Sequence, residues 1–174
     1  MSQPMSSSPA NRNTAGAEME TILAQWKRER PDIDPVPMAV CGEVWRAAET
    51  LRQGVLANVL KYELDFAGFD VILTLRRQGH GKALSPSTLA KEMMLSTSAM
   101  TNRLDRLEAR GLIKRTMDPD DRRGLKIILS EDGFTLADRI VVSHVETEER
   151  MLSSLSDAER GQLRALLGKV AASA

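Results

Sequence analysis

The chain has 174 residues, 42% hydrophobic and only 3% aromatic, with 24 Lys or Arg balanced by 24 Asp or Glu. That length supports one sizeable core, and with no run of about eighteen apolar residues and no hydrophobic signal region near Met1, a soluble cytoplasmic protein with no membrane contact is expected. A lone cysteine, Cys41, excludes an intrachain disulfide, and His80 and His144 form no metal-ligand spacing with it. Without a phosphate loop, GxSxG or HExxH, neither a catalytic site nor a metal or cofactor is expected.

Residues 1 to 15 (MSQPMSSSPANRNTA) are small, polar and proline-containing, the composition of a disordered tail. Ala17 to Arg30 is predicted helical with Met19, Ile22, Leu23 and Trp26 as its apolar positions, and Pro31, Pro35 and Pro37 should break it; residues 16 to 37 are thus an extra helix plus a linker. From Met38 to Tyr62, Cys41, Val44, Trp45, Ala48, Leu51, Val55 and Val59 recur every three or four residues, which is one apolar helix face. Cys41 is expected to be a buried small apolar residue there, since Val40 and Gly42 offer no basic group to activate the thiol. A further helix, Phe66 to Arg77, carries Phe69, Ile72 and Leu75 before the loop at Gly79 to Gly81.

Ser85 followed by Pro86 is a helix start, a cap with proline where the missing N–H costs nothing, and Leu89 and Met93 give that helix a buried stripe to about Leu95. Ser96 should cap a second helix whose Met100, Leu104 and Leu107 face inward while Ser98, Thr101, Asn102, Asp105 and Arg106 point away; Gly111 ends it. Leu112 to Met117 and Leu125 to Leu129 are predicted strands around the turn Asp118, Pro119, Asp120, Asp121, Arg122, Arg123, Gly124. Ser130 then caps a helix to about Leu152 with Phe134, Ala137, Ile140, Val141, His144, Val145 and Met151 on one side. Ser156 to Glu159 is a capping box opening a last helix, with Leu163, Leu166, Leu167 and Val170 inward.

The fold class expected is mainly α with a small β-hairpin wing: a winged helix-turn-helix over residues 66–130 within a single domain, 38–174. The helices at 38–62 and 131–172 are assigned largely to dimerisation. These parts suit double-stranded DNA. A major groove admits one helix, whose short polar side chains reach base edges, and a basic hairpin tip enters a flanking minor groove. Charge is segregated accordingly: Thr101 to Leu129 holds eight Lys or Arg against five Asp or Glu, and Ser130 to Ala174 holds five against eight. A two-fold homodimer through the terminal helices sets two reading helices about one DNA turn apart, which matches an inverted repeat.

The order of elements, together with MTNRLDRLEARGLIKR, DPDDRRG and LSEDG, resembles the MarR family of transcriptional regulators from about Met38 to Val170. The resemblance implies that the wing aspartate, Asp121, orients a neighbouring arginine, that Arg123 enters the minor groove and that Arg122 contacts the backbone. Reading-helix contacts would come from Ser98, Thr101, Asn102 and Arg106. QWKRERPDIDP, FDVILTLRR and AMTNR further resemble the urate-responsive branch typified by HucR and PecS. That likeness implicates Trp26, Asp70, Arg103 and Arg115 in binding a small anionic aromatic ligand, urate or a related purine, which releases a repressor from its operator. The chemistry is apt: guanidinium forks take purine oxygens and an indole offers a stacking face. Arg103 falls in the quadrant of Met100, Leu104 and Leu107, so its charge wants a partner such as Asp70, with Arg115 a second guanidinium for the same pocket. Plainer roles stand beside these: Trp26 as a packing residue, Asp70 with Arg103 as a structural ion pair, Arg115 as a phosphate contact. The alternative signals are a phenolic or hydroxynicotinate-like acid, or an oxidant acting at Cys41, and the alternative class is a protein-interaction module built on a winged helix.

Overall fold

The structure, a computed structural model, describes residues 12–93, 97–118 and 124–172, and side chains for residues 17–93, 100–118 and 124–172. In chain order the described residues form α1 (Arg12–Glu29), α2 (Val36–Val59) with a 3-10 turn at Leu60–Tyr62, α3 (Phe66–Gln78), α4 (Pro86–Glu92), α5 (Thr97–Ala109), β1 (Ile113–Met117), β2 (Leu125–Leu129), α6 (Glu131–Met151) and α7 (Asp157–Ala171). This is the expected mainly helical fold with one antiparallel hairpin, Ile113 pairing with Leu129 and Met117 with Leu125. Several boundaries move. Helix α1 takes in residues 12–15, which composition assigns to the tail. Helix α2 starts at Val36, so Pro37 falls in its first turn, where a missing N–H is harmless and the ring favours the helical φ; Asp34 Oδ1 accepts the Val36 N–H at 3.0 Å. Helix α4 ends at Glu92, short of the expected Leu95, which like the predicted cap Ser96 lies outside the described residues.

The chain divides inside α2 into two compact units, residues 1–50 and 51–174. In the first unit Met19 packs against Gly42, and Arg46 pairs with Glu18 at 3.7 Å. Cys41 is exposed there, which corrects the expectation of a buried thiol. Residues 36–59 are helical as their periodicity predicts, but of the apolar stripe only Val55 and Val59 are buried, both in the second unit, while Trp45 is 73% exposed.

In the second unit α3 is central, contributing Phe69, Val71, Ile72 and Leu75 to a core that also takes Leu89, Met100, Leu104, Leu107, Ile113, Ile127, Ala137 and Ile140. Its N-cap is Asp65, whose side chain accepts the Gly68 N–H. The end of α2 is tied to α6 by a polar knot, with Asn58 Nδ2 and the Tyr62 hydroxyl both donating to Ser143 Oγ, at 3.0 and 2.7 Å. The wing is anchored by Leu84, just before α4, which exchanges backbone hydrogen bonds with the fully buried Ile127 at 3.0 and 2.7 Å. Ser130 binds α5, the wing and α6 together: its Oγ donates to Gly111 O at 2.6 Å and accepts Gly133 N–H at 2.9 Å, and its own N–H donates to Leu112 O at 3.1 Å.

Helix α7 opens with the predicted Ser156–Glu159 capping box. Arg160 closes its turn against α6 with two hydrogen bonds to Glu149, both 2.8 Å, which hold that carboxyl below the usual range. The predicted inward stripe of α7 is corrected: Leu163, Leu166, Leu167 and Val170 are 40 to 58% exposed, because within one chain nothing among the described residues covers that face. Val141, Val142 and Val145 of α6 are exposed as well. No helix among the described residues is long and apolar enough to cross a membrane.

Candidate nucleic-acid interface and ligand groove

Helix α5 is two-faced in the way its sequence predicts. Met100, Leu104 and Leu107 are each no more than 2% exposed, whereas Thr101, Asn102, Asp105 and Arg106 are open to solvent. Burying three large side chains stabilises the helix on its scaffold by several kcal/mol, about 1.5–3 for each, and leaves the opposite face free for a partner. Ser98 lies in the first turn of α5, but its side chain lies outside the described residues, as do Asp121, Arg122 and Arg123. Where the described arms of the wing end, Asp118 N–H donates to Gly124 O at 2.9 Å and Lys126 pairs with Asp118 at 3.0 Å, so the two arms are held together there.

The arginines around α5 are tied back to the protein. Arg106 Nη2 donates to Asp65 Oδ2 at 2.8 Å. Arg110 donates to the Glu63 and Tyr62 carbonyls at 2.5 and 3.2 Å, satisfying acceptors left over where α2 ends. Arg115, on β1, reaches back to Asp105 at 2.6 Å and also to Glu108; the hydrogen bond to Asp105 is the main cause that raises its pKa. These ion pairs lock the wing to the reading helix. They also commit Arg115 to α5 and not to a pocket with Asp70, whose groove Arg115 does not line. Neither carboxylate partner is legible as one in the sequence, because β1 folds back on α5 through the Gly111 turn, at φ 70°.

Asp70 sits half-buried in a groove of about 510 Å³ between α3 and α6, with Phe69, Leu73 and Val141 as apolar lining and Thr74, Arg76, Arg77, Asp138 and His144 as polar lining, Arg76 being paired with Asp138 at 2.5 Å. Burial pushes the Asp70 carboxyl above the ordinary carboxylate range, against the opposing pull of Arg103 and Arg77. Arg103 therefore lies close enough to act on Asp70, as the helical quadrant predicts. Among the described residues it closes no ion pair with Asp70, and its buried Nη1 has no hydrogen-bond partner. Arg103 instead lines a smaller cleft of about 90 Å³ with Asp65, Gly68, Arg106, Leu107 and Arg110. Trp26 belongs to the first unit and is 39% exposed. Sequence marks His144 only as part of a helical stripe. Its ring meets Phe69 edge-on at 5.0 Å, its Nε2 lies 3.3 Å from Glu148, and its buried Nδ1 has no partner among the described residues.

The model of the MarR family matches residues 68–125, the segment from α3 into β2. Over 153 residues the chain is 42% identical to the HTH-type transcriptional regulator PecS of Dickeya dadantii, covering 88% of this chain and 92% of that one. Its fold is similar to that of Bordetella bronchiseptica BpsR, described with a mechanism for regulation of DNA binding by 6-hydroxynicotinic acid: TM-score 0.66, 27% identity, covering 76% of this chain and 92% of that one. It is also similar to a mutant MarR from E. coli complexed with operator DNA, at TM-score 0.67 and 20% identity, covering 83% and 96% of the two chains; at that identity the likeness speaks for the fold alone. A two-faced α5, a closed wing beside it and a PecS likeness over most of the length agree: the chain belongs to the MarR family of transcriptional regulators, in its PecS-like branch, and is not an enzyme.

Proposed function

We propose that this MarR-type DNA-binding regulator is a homodimeric repressor that holds an inverted-repeat operator and is released by a small anionic aromatic ligand, urate or a related purine. The observation that carries the DNA reading is α5 itself, buried through Met100, Leu104 and Leu107 and open through Thr101 and Asn102 beside the wing. Ser98, Asp121, Arg122 and Arg123 complete the proposed contact set, with Arg123 in the minor groove and Arg122 on the phosphates. Dimerisation is supported by the leucines of α7, which form an exposed apolar face on a helix with no buried residue.

Ligand control is supported by the Asp70 groove, whose size suits a small aromatic molecule. An anion bound beside Asp70 that attracts the nearby Arg103, which among the described residues closes no ion pair with Asp70 and lines the smaller cleft, favours a different seating of α5 and so weakens DNA binding; that is coupling through differential affinity for two states. Trp26 and Arg115 enter as the remaining members of the proposed ligand set, although Arg115 has to leave Asp105 or Glu108 to take part. A hydroxynicotinate-like acid is the second reading, favoured by the likeness to BpsR.

Urate, xanthine, salicylate and 6-hydroxynicotinate, titrated separately into a complex of the protein with a labelled duplex from its own promoter, test this by fluorescence anisotropy. The expected outcome is release by urate at the lowest concentration, with Asp70→Asn binding the duplex normally and needing more ligand. Release by 6-hydroxynicotinate alone transfers the proposal to that acid. Release by none of the four contradicts ligand control of this kind.

A further inference from the structure

We propose that Asp65 is a positioning residue for the reading helix, an internal acceptor that competes with DNA phosphate for Arg106. Asp65 holds two groups at once. Its Oδ1 accepts Gly68 N–H at 2.7 Å, capping α3, and its Oδ2 accepts Arg106 Nη2 at 2.8 Å, joining α3 to α5 across 41 residues of sequence. The two helices are close at this point, since a methyl group on Gly68 would stand 3.4 Å from Leu107 Cδ2.

Arg106 is one helical turn beyond Asn102 and so shares its outward face. The other arginines of this helix and its C-terminal end are placed differently: Arg103 has its Nη1 buried, and Arg110 is bound to the Tyr62 and Glu63 carbonyls. Arg106 is therefore the arginine of α5 best placed to meet a duplex, and without DNA a carboxylate occupies it. The side chains of the pair are 67% and 47% exposed, so the ion pair is weak and readily exchanged. A phosphate presents oxygens of similar geometry and charge and is the natural replacement. In the free protein Asp65 keeps the guanidinium against the start of α3, out of the groove; on the operator the guanidinium passes to the backbone while Asp65 continues to cap α3. The proposal rests on the DNA-binding reading, and its test separates the two.

The wild type, Asp65→Asn, Arg106→Ala and the double variant are titrated with the promoter duplex over a range of salt concentrations. Asparagine still offers an oxygen to Gly68 N–H, so the cap survives while the charge is removed; thermal melting checks this, and Asp65→Ser, equally able to cap, serves as a second substitution. Asp65→Asn and Asp65→Ser are expected to tighten binding by about two- to fivefold, the range of an exposed ion pair, and to have no effect in the Arg106→Ala background. Arg106→Ala alone should flatten the slope of log K against log salt by about 0.9 for each phosphate that the arginine neutralises. Equal tightening with and without Arg106 would reduce Asp65 to a general repulsive charge and overturn the proposal. Unchanged or weaker binding by well-folded Asp65→Asn and Asp65→Ser would overturn it too. A wild type that binds no duplex refutes the DNA reading underneath.

Discussion

Gly133→Ala is the sharpest structural prediction, because LSEDG marks the seam where wing, reading helix and α6 meet. A Cβ on Gly133 would lie 1.9 Å from the Leu112 carbonyl oxygen and 2.8 Å from its carbon, so two backbones have to part by more than about 1 Å before the methyl fits. Overpacking against backbone, which cannot rotate away, costs about 3 kcal/mol. Parting the start of α6 from the α5–β1 turn also strains the Ser130 cap, whose Oγ to Gly133 N–H bond is 2.9 Å long, for about 1 kcal/mol more. The better helix propensity of alanine returns about 1 kcal/mol. The net expectation is a loss of about 3 kcal/mol in urea denaturation, or roughly 6–12 °C in melting temperature at fixed protein concentration. Operator affinity should fall as well, since the Leu112 carbonyl that must move belongs to the segment joining α5 to β1. An alanine variant as stable as the wild type, or more stable, would refute the close approach from which the cost is derived.

Arg123→Ala is expected to weaken operator binding on the order of tenfold while sedimentation still reports a dimer; unchanged affinity removes the wing from the interface. Leu163→Asp with Leu167→Asp places charge on the exposed α7 face and should shift the protein to monomer in analytical ultracentrifugation, with loss of binding to the two-half-site duplex. Asp70 predicts a pH dependence. Burial raises its pKa in the folded chain, so the folded protein keeps a proton that the unfolded chain, at about 3.9, has released, and stability falls as pH rises through that window. Asp70→Asn removes that contribution, and urea denaturation of both proteins should show the variant gaining on the wild type as pH rises above about 4, where the unfolded carboxyl ionises. Cys41→Ser is expected to leave operator binding and ligand release unaltered, and peroxide release abolished by that substitution would identify the exposed thiol as a sensor.

The sequence is legible wherever one local rule decides. The buried triplet of α5, the Ser156–Glu159 box and the limits of β2 follow from periodicity and capping, and each lies within a short window of chain. Pro37 misleads because a proline that ends one helix also suits the first turn of the next. The stripes on α2 and α7 are plainly apolar, yet periodicity says only which residues want cover and not whether one chain supplies it; hence the exposed Cys41, Leu163 and Leu167. In the candidate site, helical phase turns Arg103 toward the buried side of α5, yet among the described residues it closes no ion pair with Asp70, because phase fixes a quadrant and not a partner. The partners of Arg106, Arg110 and Arg115 are hidden from the sequence, since each is made by an element returning from elsewhere in the chain. Asp65 carries a faint signal, an aspartate directly before an apolar helical run, and its second role becomes visible only once α3 and α5 lie side by side.

A dimer that reads DNA through α5 and the wing must recognise an inverted repeat. Titration against a duplex from the protein's own promoter carrying such a repeat, and against a scrambled duplex of equal length, at several salt concentrations, measures this. Two chains per duplex, saturable binding that weakens as salt rises, and clear preference for the inverted repeat are expected. Equal affinity for both duplexes, or no salt-sensitive binding to either, would rule out sequence-specific reading by this helix and wing.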